Sequence, residues 1–348
     1  MYGSEWGPPD PIGVTPVNFS PWRWVIGLLS LVVLAFVSFV VPVPVFYAYL
    51  PGPAPQVDEL VKITDTQTYS SEGTFLLTTV SVDTEVTFVE MVMSAFDADK
   101  AIVGRDAVTG GGSLRELQRE QEAQMRASNR HAEEVALTAL GFSHPTGDGA
   151  RVVQTIASSP AAEALQPGDH IVSVDGQPVA TTCDVGRAID SHEVGETVSI
   201  TVRRDGRRRT FELKTVRNPQ DPSASFLGVA MEDINYRFSP GVDVEFEPGD
   251  IAGPSAGLMF ALALYDQLTP DDLTDGRKIA GTGTIACDGG VGPIGGVEQK
   301  VAGAEREGAE IFLSPAGNAG AARSAADEIE VVAISNFNDA IEYLEGLD

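Results

Sequence analysis

This sequence predicts an α/β (α+β) fold behind an N-terminal apolar anchor, and three observations carry that expectation. Beyond residue 225, β-branched runs alternate with helical patterns, the order of a layered sheet with covering helices rather than an all-β barrel. Between 130 and 217, short alternating runs are punctuated by Pro167-Gly168, Asp175-Gly176 and Asp205-Gly206, which read as turns joining a small, mostly β module. Near the start, no charge appears between Arg23 and Asp58. At 348 residues, with 43% hydrophobic content, the chain is long enough for two globular units and a tether. A net charge of −27 argues against a nucleic-acid partner, because phosphate backbones select basic surfaces.

Residues 1–21 are rich in Pro, Gly and aromatics and read as a disordered tail. An anchor is expected over 22–50. From Trp24 to Val41 the chain is uncharged and apolar, and as a helix this stretch is ~27 Å long, close to a bilayer's hydrocarbon core. Trp22, Trp24, Tyr47 and Tyr49 flank it as an aromatic belt would. A cleaved signal peptide competes with this reading. Its apolar core is usually ~7–15 residues, and Pro42, Pro44, Pro51, Pro53 and Pro55 make a poor cleavage region. Arg23 is the only positive charge ahead of the run, so charge asymmetry says little about orientation.

In the segment 58–128, Thr74–Val82 reads as a strand and Phe88–Phe96 as an amphipathic helix. After Gly110-Gly111-Gly112, a charged helical stretch runs from Leu114 to Arg130. Within 130–217, the run from Ser158 through Pro167-Gly168-Asp169-His170-Ile171-Val172-Ser173-Val174-Asp175-Gly176 resembles the signature of a PDZ domain. That resemblance implies peptide capture by strand addition, often with a C-terminal carboxylate held by backbone N–H groups. Cys183 to Ser191 then reads as the groove helix, and the carboxylate loop is expected near Gly141-Phe142 or within 147–153. Arg203, Arg204, Arg207, Arg208 and Arg209 form the one basic cluster and read as a solvated hairpin tip rather than an acidic-partner site. Cys183 and Cys287 fall in different predicted units, so no disulfide is expected. Asn218 to Ser225 reads as a linker.

The chemistry concentrates in Gly253-Pro254-Ser255-Ala256-Gly257. Gly253 and Pro254 suit a tight turn, and the apolar run after Ala256 suits a buried helix. Ser255 then sits at a helix N-terminus, where free N–H groups favour an oxyanion. A serine hydroxyl needs a base. The pattern also fits the nucleophile elbow of α/β-hydrolases, but His131, His144, His170 and His192 all precede Ser255, the wrong order for that fold. Lysine remains. Among five lysines, Lys300 follows Gly295-Gly296 and shares a helical face with Val297, Val301 and Ala304. An ammonium held against such a face is desolvated and drops toward neutrality.

Gly253-Pro254-Ser255-Ala256-Gly257, then Gly281-Thr282-Gly283, then Gly292-Pro293-Ile294-Gly295-Gly296 with Lys300, resemble the proteolytic domain of Lon-type serine peptidases. The resemblance implies Ser255 as nucleophile, Lys300 as general base and Thr282 as the residue that orients the lysine, with Gly253, Pro254 and Ala256 supporting. It implies that 225–348 folds as a Lon-type proteolytic domain, with the PDZ unit inserted between it and a split-off segment 58–128 whose strand resembles the opening strand of that domain. An independent stalk competes for 58–128. Many Lon enzymes carry Asp before the Gly-Pro-Ser; here Ala252 stands there, with Asp250 two residues back, which bears on substrate docking or activation. No G-x-x-x-x-G-K-[ST] motif occurs, so the ATPase motor of Lon enzymes is missing and hydrolysis is expected to be ATP-independent. The expectation is a single-pass, extracytoplasmic, membrane-anchored endopeptidase without cofactor or metal, acting on polypeptides and capturing C-terminal tails in the PDZ groove. A homo-oligomer is compatible with it. The alternative is a non-catalytic membrane-tethered PDZ scaffold or chaperone.

Overall fold

The structure, a computed structural model, describes residues 21–97, 99–218, 225–249 and 251–347. The tail expected over 1–21 lies, but for its last residue, outside the described residues, as do most of the expected linker and Asp250.

Four parallel strands form the central sheet, in the order Glu330–Ile334, Ile311–Pro315, Lys278–Gly281, Thr74–Leu77. An all-parallel sheet needs cover on both faces, and the alternation along each strand divides its side chains between two cores. Phe75, Leu77, Ile279, Ile311 and Leu313 point into one, with the helix Gly257–Leu268. Leu76, Ala280 and Phe312 point into the other, with Val297, Val301 and Ala304 of the helix Val297–Arg306. Helix Gly257–Leu268 is apolar almost throughout because it is enclosed, with every residue from Gly257 to Leu264 buried.

The strand expected over Thr74–Val82 divides in two. Thr74–Leu77 joins the central sheet, and Val80–Asp83 pairs with Phe46–Pro51, which also pairs with Ala101–Gly104. Thr78 marks the break: its N–H and hydroxyl both donate to the Gly281 carbonyl, so the chain turns away where the neighbouring strand ends. The charged helix runs further than expected, from Leu114 to Ala139, started by a capping box of Ser113 and Glu116. Its buried face lies against the helix Gly257–Leu268 and carries Met125, Ser128, Ala132, Val135 and Ala136.

A second sheet has the order Arg207–Lys214, Thr197–Arg204, His170–Val174, Ala150–Thr155, Val229–Asp233. Its last strand comes from beyond residue 217, the expected limit of that unit. Helix Thr182–Asp190 packs on this sheet through Val185 and Ile189, and the Asp233 carboxylate accepts from the Thr182 N–H at 2.6 Å. Of the two expected carboxylate-loop positions, 147–153 does not border an open edge, because Ala150–Thr155 is paired on both sides; Val229–Asp233 is one of the two edge strands of this sheet. Within the basic cluster, Arg204 is not a solvated tip residue. It clasps buried Asp169 with two nitrogens, each at 2.6 Å, and holds that carboxyl below its ordinary range against the opposing effect of burial.

The two units are joined covalently. Contrary to expectation, Cys183 and Cys287 form a disulfide, with Cα atoms 5.9 Å apart across 104 residues of sequence. Folding seats the first turn of helix Thr182–Asp190 on the loop after Thr284–Ile285, a proximity that sequence spacing cannot reveal.

The helix Pro21–Val40 precedes all of this. Among the described residues, no helix is long and apolar enough to cross a membrane.

Candidate active site

Ser255 and Lys300 come from opposite layers of the central sheet and meet at its carboxyl-terminal edge. Gly253, at φ 98°, takes a conformation that a side chain would resist, and Pro254 starts a single 3₁₀ turn, Pro254–Ala256, that leads into the helix Gly257–Leu268. Ser255 is thus presented on the turn itself, partly exposed, while Ala256 is buried behind it. From the other face, the helix Val297–Arg306 carries Lys300 inward at 3% exposure. Between them strand Lys278–Gly281 ends, and Thr282, fully buried, follows it.

These three side chains form one hydrogen-bonded cluster. Lys300 Nζ lies 2.9 Å from Ser255 Oγ and 2.7 Å from Thr282 Oγ1. Thr282 Oγ1 lies 3.1 Å from the Ser255 carbonyl oxygen, which also accepts the Gly283 N–H at 2.8 Å. A carbonyl can only accept, so the Thr282 hydroxyl proton goes to Ser255 O and the lysine nitrogen donates to Thr282. An uncharged amine then turns its lone pair toward the Ser255 hydroxyl. Burial brings the Lys300 pKa down from 10.5 to about 7, and among the described residues no carboxylate opposes that fall. Near neutral pH, therefore, a large share of the lysine is free base.

The turn is braced from a direction that sequence reasoning missed. Ser128, on the helix Leu114–Ala139, donates to the Pro254 carbonyl at 2.8 Å, and His131 Nδ1 donates to the Ile285 carbonyl at 3.2 Å. Gly257 makes this approach possible: a Cβ there would stand 2.3 Å from Ser128 Oγ and 2.7 Å from Ile285 Cγ2. The only sequence signal was the apolar period Met125, Ala132, Val135, which places Ser128 on the inward face. A separate cavity of about 650 Å3 lies beside the disulfide, lined among others by His131, Glu134, His144, Thr182 and Tyr236, and it does not reach the Ser255–Lys300 pair.

Comparison with known proteins finds two families along the chain. Residues 243–344 match the family model of the Lon protease (S16) C-terminal proteolytic domain, and residues 124–215 match that of the PDZ domain. Lon protease 2 of Bacillus subtilis (strain 168) is 32% identical over 112 residues, which is 32% of this chain and 18% of that protein. The Lon protease of Roseiflexus castenholzii is 38% identical over 93 residues, 26% of this chain and 11% of that one. The "Probable periplasmic serine endoprotease DegP-like" of Pseudomonas fluorescens is 31% identical over 120 residues, 30% of this chain and 25% of that one. The chain thus aligns with a quarter or less of the length of each of these relatives. It carries a PDZ domain and a C-terminal proteolytic domain of the Lon serine-peptidase type.

Proposed function

We propose that this chain is an ATP-independent serine endopeptidase in which Ser255 is the nucleophile and Lys300 the general base. The observation that carries this reading is a nearly fully buried amine 2.9 Å from the hydroxyl of a serine on a tight turn. Ser255 Oγ attacks the scissile carbonyl carbon as its proton passes to Lys300 Nζ, and backbone N–H groups of the turn hold the resulting oxyanion. The C–N bond then breaks, Lys300 returns the proton to the leaving amine, and an acyl-Ser255 ester remains. Water, deprotonated by the same amine, releases the second fragment. Thr282 keeps the lysine aimed by holding one of its N–H bonds.

Polypeptides with flexible or unfolded segments are the substrates that suit ATP-independent hydrolysis, which supplies no unfolding work. The open edge Val229–Asp233 beside helix Thr182–Asp190 supports capture of an extended tail by strand addition. An extracytoplasmic site is supported by the Cys183–Cys287 disulfide, since such bonds persist in oxidising compartments. Anchoring through the N-terminal helix is supported by its side chains: Leu28, Leu34 and Phe39 stand 68%, 66% and 65% exposed, a coat that water does not favour and lipid does.

Cleavage of an unfolded protein by wild type, Ser255→Ala and Lys300→Ala tests the reading. Both variants should stay folded and lose activity. Full activity in the Lys300 variant would discard the pair, and absence of cleavage in the wild type would leave a tethered PDZ scaffold. Resistance of the full chain to alkaline extraction from membranes tests the anchor.

A further inference from the structure

We infer that Ser128 is a positioning residue for the nucleophile, so that the active site is completed by a helix lying outside the matched proteolytic stretch. The inference rests on the reading of Ser255 as nucleophile. Ser255 is suspended between two peptide groups. On one side, the Ser255 carbonyl is held by Gly283 N–H and Thr282 Oγ1 at 2.8 and 3.1 Å. On the other, the Pro254 carbonyl accepts the Gly257 N–H and Ser128 Oγ, the latter at 2.8 Å. The orientation of the Pro254–Ser255 peptide sets both the direction of the Ser255 N–H and the line from its Cα to the hydroxyl. A hydrogen bond at that carbonyl therefore acts on the attacking oxygen and on an oxyanion donor together.

Two features separate Ser128 from an ordinary helical serine. Serine inside a helix usually bonds back to its own preceding turn or faces water. Ser128 instead spends its proton on a carbonyl 126 residues away, at 4% exposure. One turn on, His131 donates to the carbonyl of Ile285, three residues past Thr282. Residues three apart share a helix face, so one face of Leu114–Ala139 grips both the segment with the nucleophile and the segment with the lysine's partner. Ser128 and His131 lie within the residues matched to the PDZ domain, 124–215, and outside 243–344. The proteolytic stretch alone thus lacks one of the contacts that set its serine.

The test uses the full chain and a reduced, alkylated, dye-quenched unfolded protein as substrate. Ser128→Ala removes one oxygen and keeps a good helix former. Its kcat should fall roughly 10- to 100-fold, the scale of a small misplacement of reacting atoms. KM, melting temperature and the pH midpoint of activity should remain near wild type, since neither the substrate's seat nor the lysine's surroundings change. Ser128→Thr, which keeps the hydroxyl, should retain most of the wild-type kcat. An unchanged kcat in Ser128→Ala, a loss that follows a drop in melting temperature, or equal losses in the Ala and Thr variants would each reduce Ser128 to packing and overturn the inference. Ser255→Ala and Lys300→Ala are assayed alongside. If they cleave like wild type, the underlying reading falls and takes the inference with it; if they are inactive while Ser128→Ala is fully active, the inference alone is discarded.

Discussion

Replacing Lys300 by Met separates the stability of this fold from its chemistry. Methionine matches the length of most of the side chain and suits an apolar pocket. In wild type the Lys300 pKa is near 10.5 unfolded and about 7 folded. Between those values the unfolded chain binds a proton that the folded chain does not, so wild-type stability rises with pH at up to about 1.4 kcal/mol per pH unit. Over the whole window this amounts to about 5 kcal/mol, all of it missing at and below pH 7. The Met variant has no such proton and should lack this component. It leaves Ser255 Oγ and Thr282 Oγ1 without their amine, a cost of about 1–3 kcal/mol each, but that cost does not vary with pH. The diagnostic is therefore the slope of the difference in unfolding free energy between the two proteins. Urea titrations from pH 7.5 to 9.5, followed by circular dichroism, measure it. Parallel pH profiles would mean that the folded protein keeps the ammonium charged, and the general-base argument would fail with them.

Further outcomes follow from the same geometry. Wild-type kcat/KM should rise with pH through about 7 as the lysine loses its proton and then level off; a profile that is flat from pH 6 to 8 would contradict the assignment of the base. Thr282→Val keeps the shape but removes the 2.7 Å contact to Lys300, and should lower kcat roughly 10- to 100-fold with little change in KM, since leaving a buried polar group without its partner costs about 1–3 kcal/mol. Gly257→Ala forces a methyl to within 2.3 Å of Ser128 Oγ; despite better helix propensity, it should destabilise the fold by about 1–3 kcal/mol, seen as a lower melting temperature. Asp58 is held up at about 6 by burial and by the nearby charge of Asp266, so the folded state loses stability as pH rises from about 4 to 6. Asp58→Asn should therefore be more stable than wild type at pH 7, by roughly 1–2 kcal/mol once partial exposure is allowed for; equal unfolding curves at pH 7 would refute that.

The layered C-terminal sheet was legible because its strands and helices announce themselves locally, by β-branched runs and helical periods. The Ser255 turn and Lys300 were legible because glycines at fixed spacing mark places where only backbone fits. What escaped the sequence were long-range facts. The strand Val229–Asp233 looks like any short apolar run, and its place on the edge of the other unit's sheet depends on a partner about 80 residues upstream. Ser128 carries no motif at all, and its meaning comes from Gly257, which lets it reach Pro254. The break at Thr78 is set by the neighbouring strand's end rather than by a turn residue. The Cys183–Cys287 bond is hidden because residues of different units, 104 apart in sequence, meet only once both units have folded.

That cross-link has a topological consequence. Joining residue 183 to residue 287 makes a closed ring of chain that contains the edge strand Val229–Asp233, the Ser255 turn and Thr282. A peptide docking on that edge and a peptide cut at Ser255 would engage the same covalent circle, so neither unit can swing free while the bond is intact. Reduction of the bond would open that circle and release the restraint between the edge strand and the Ser255 turn.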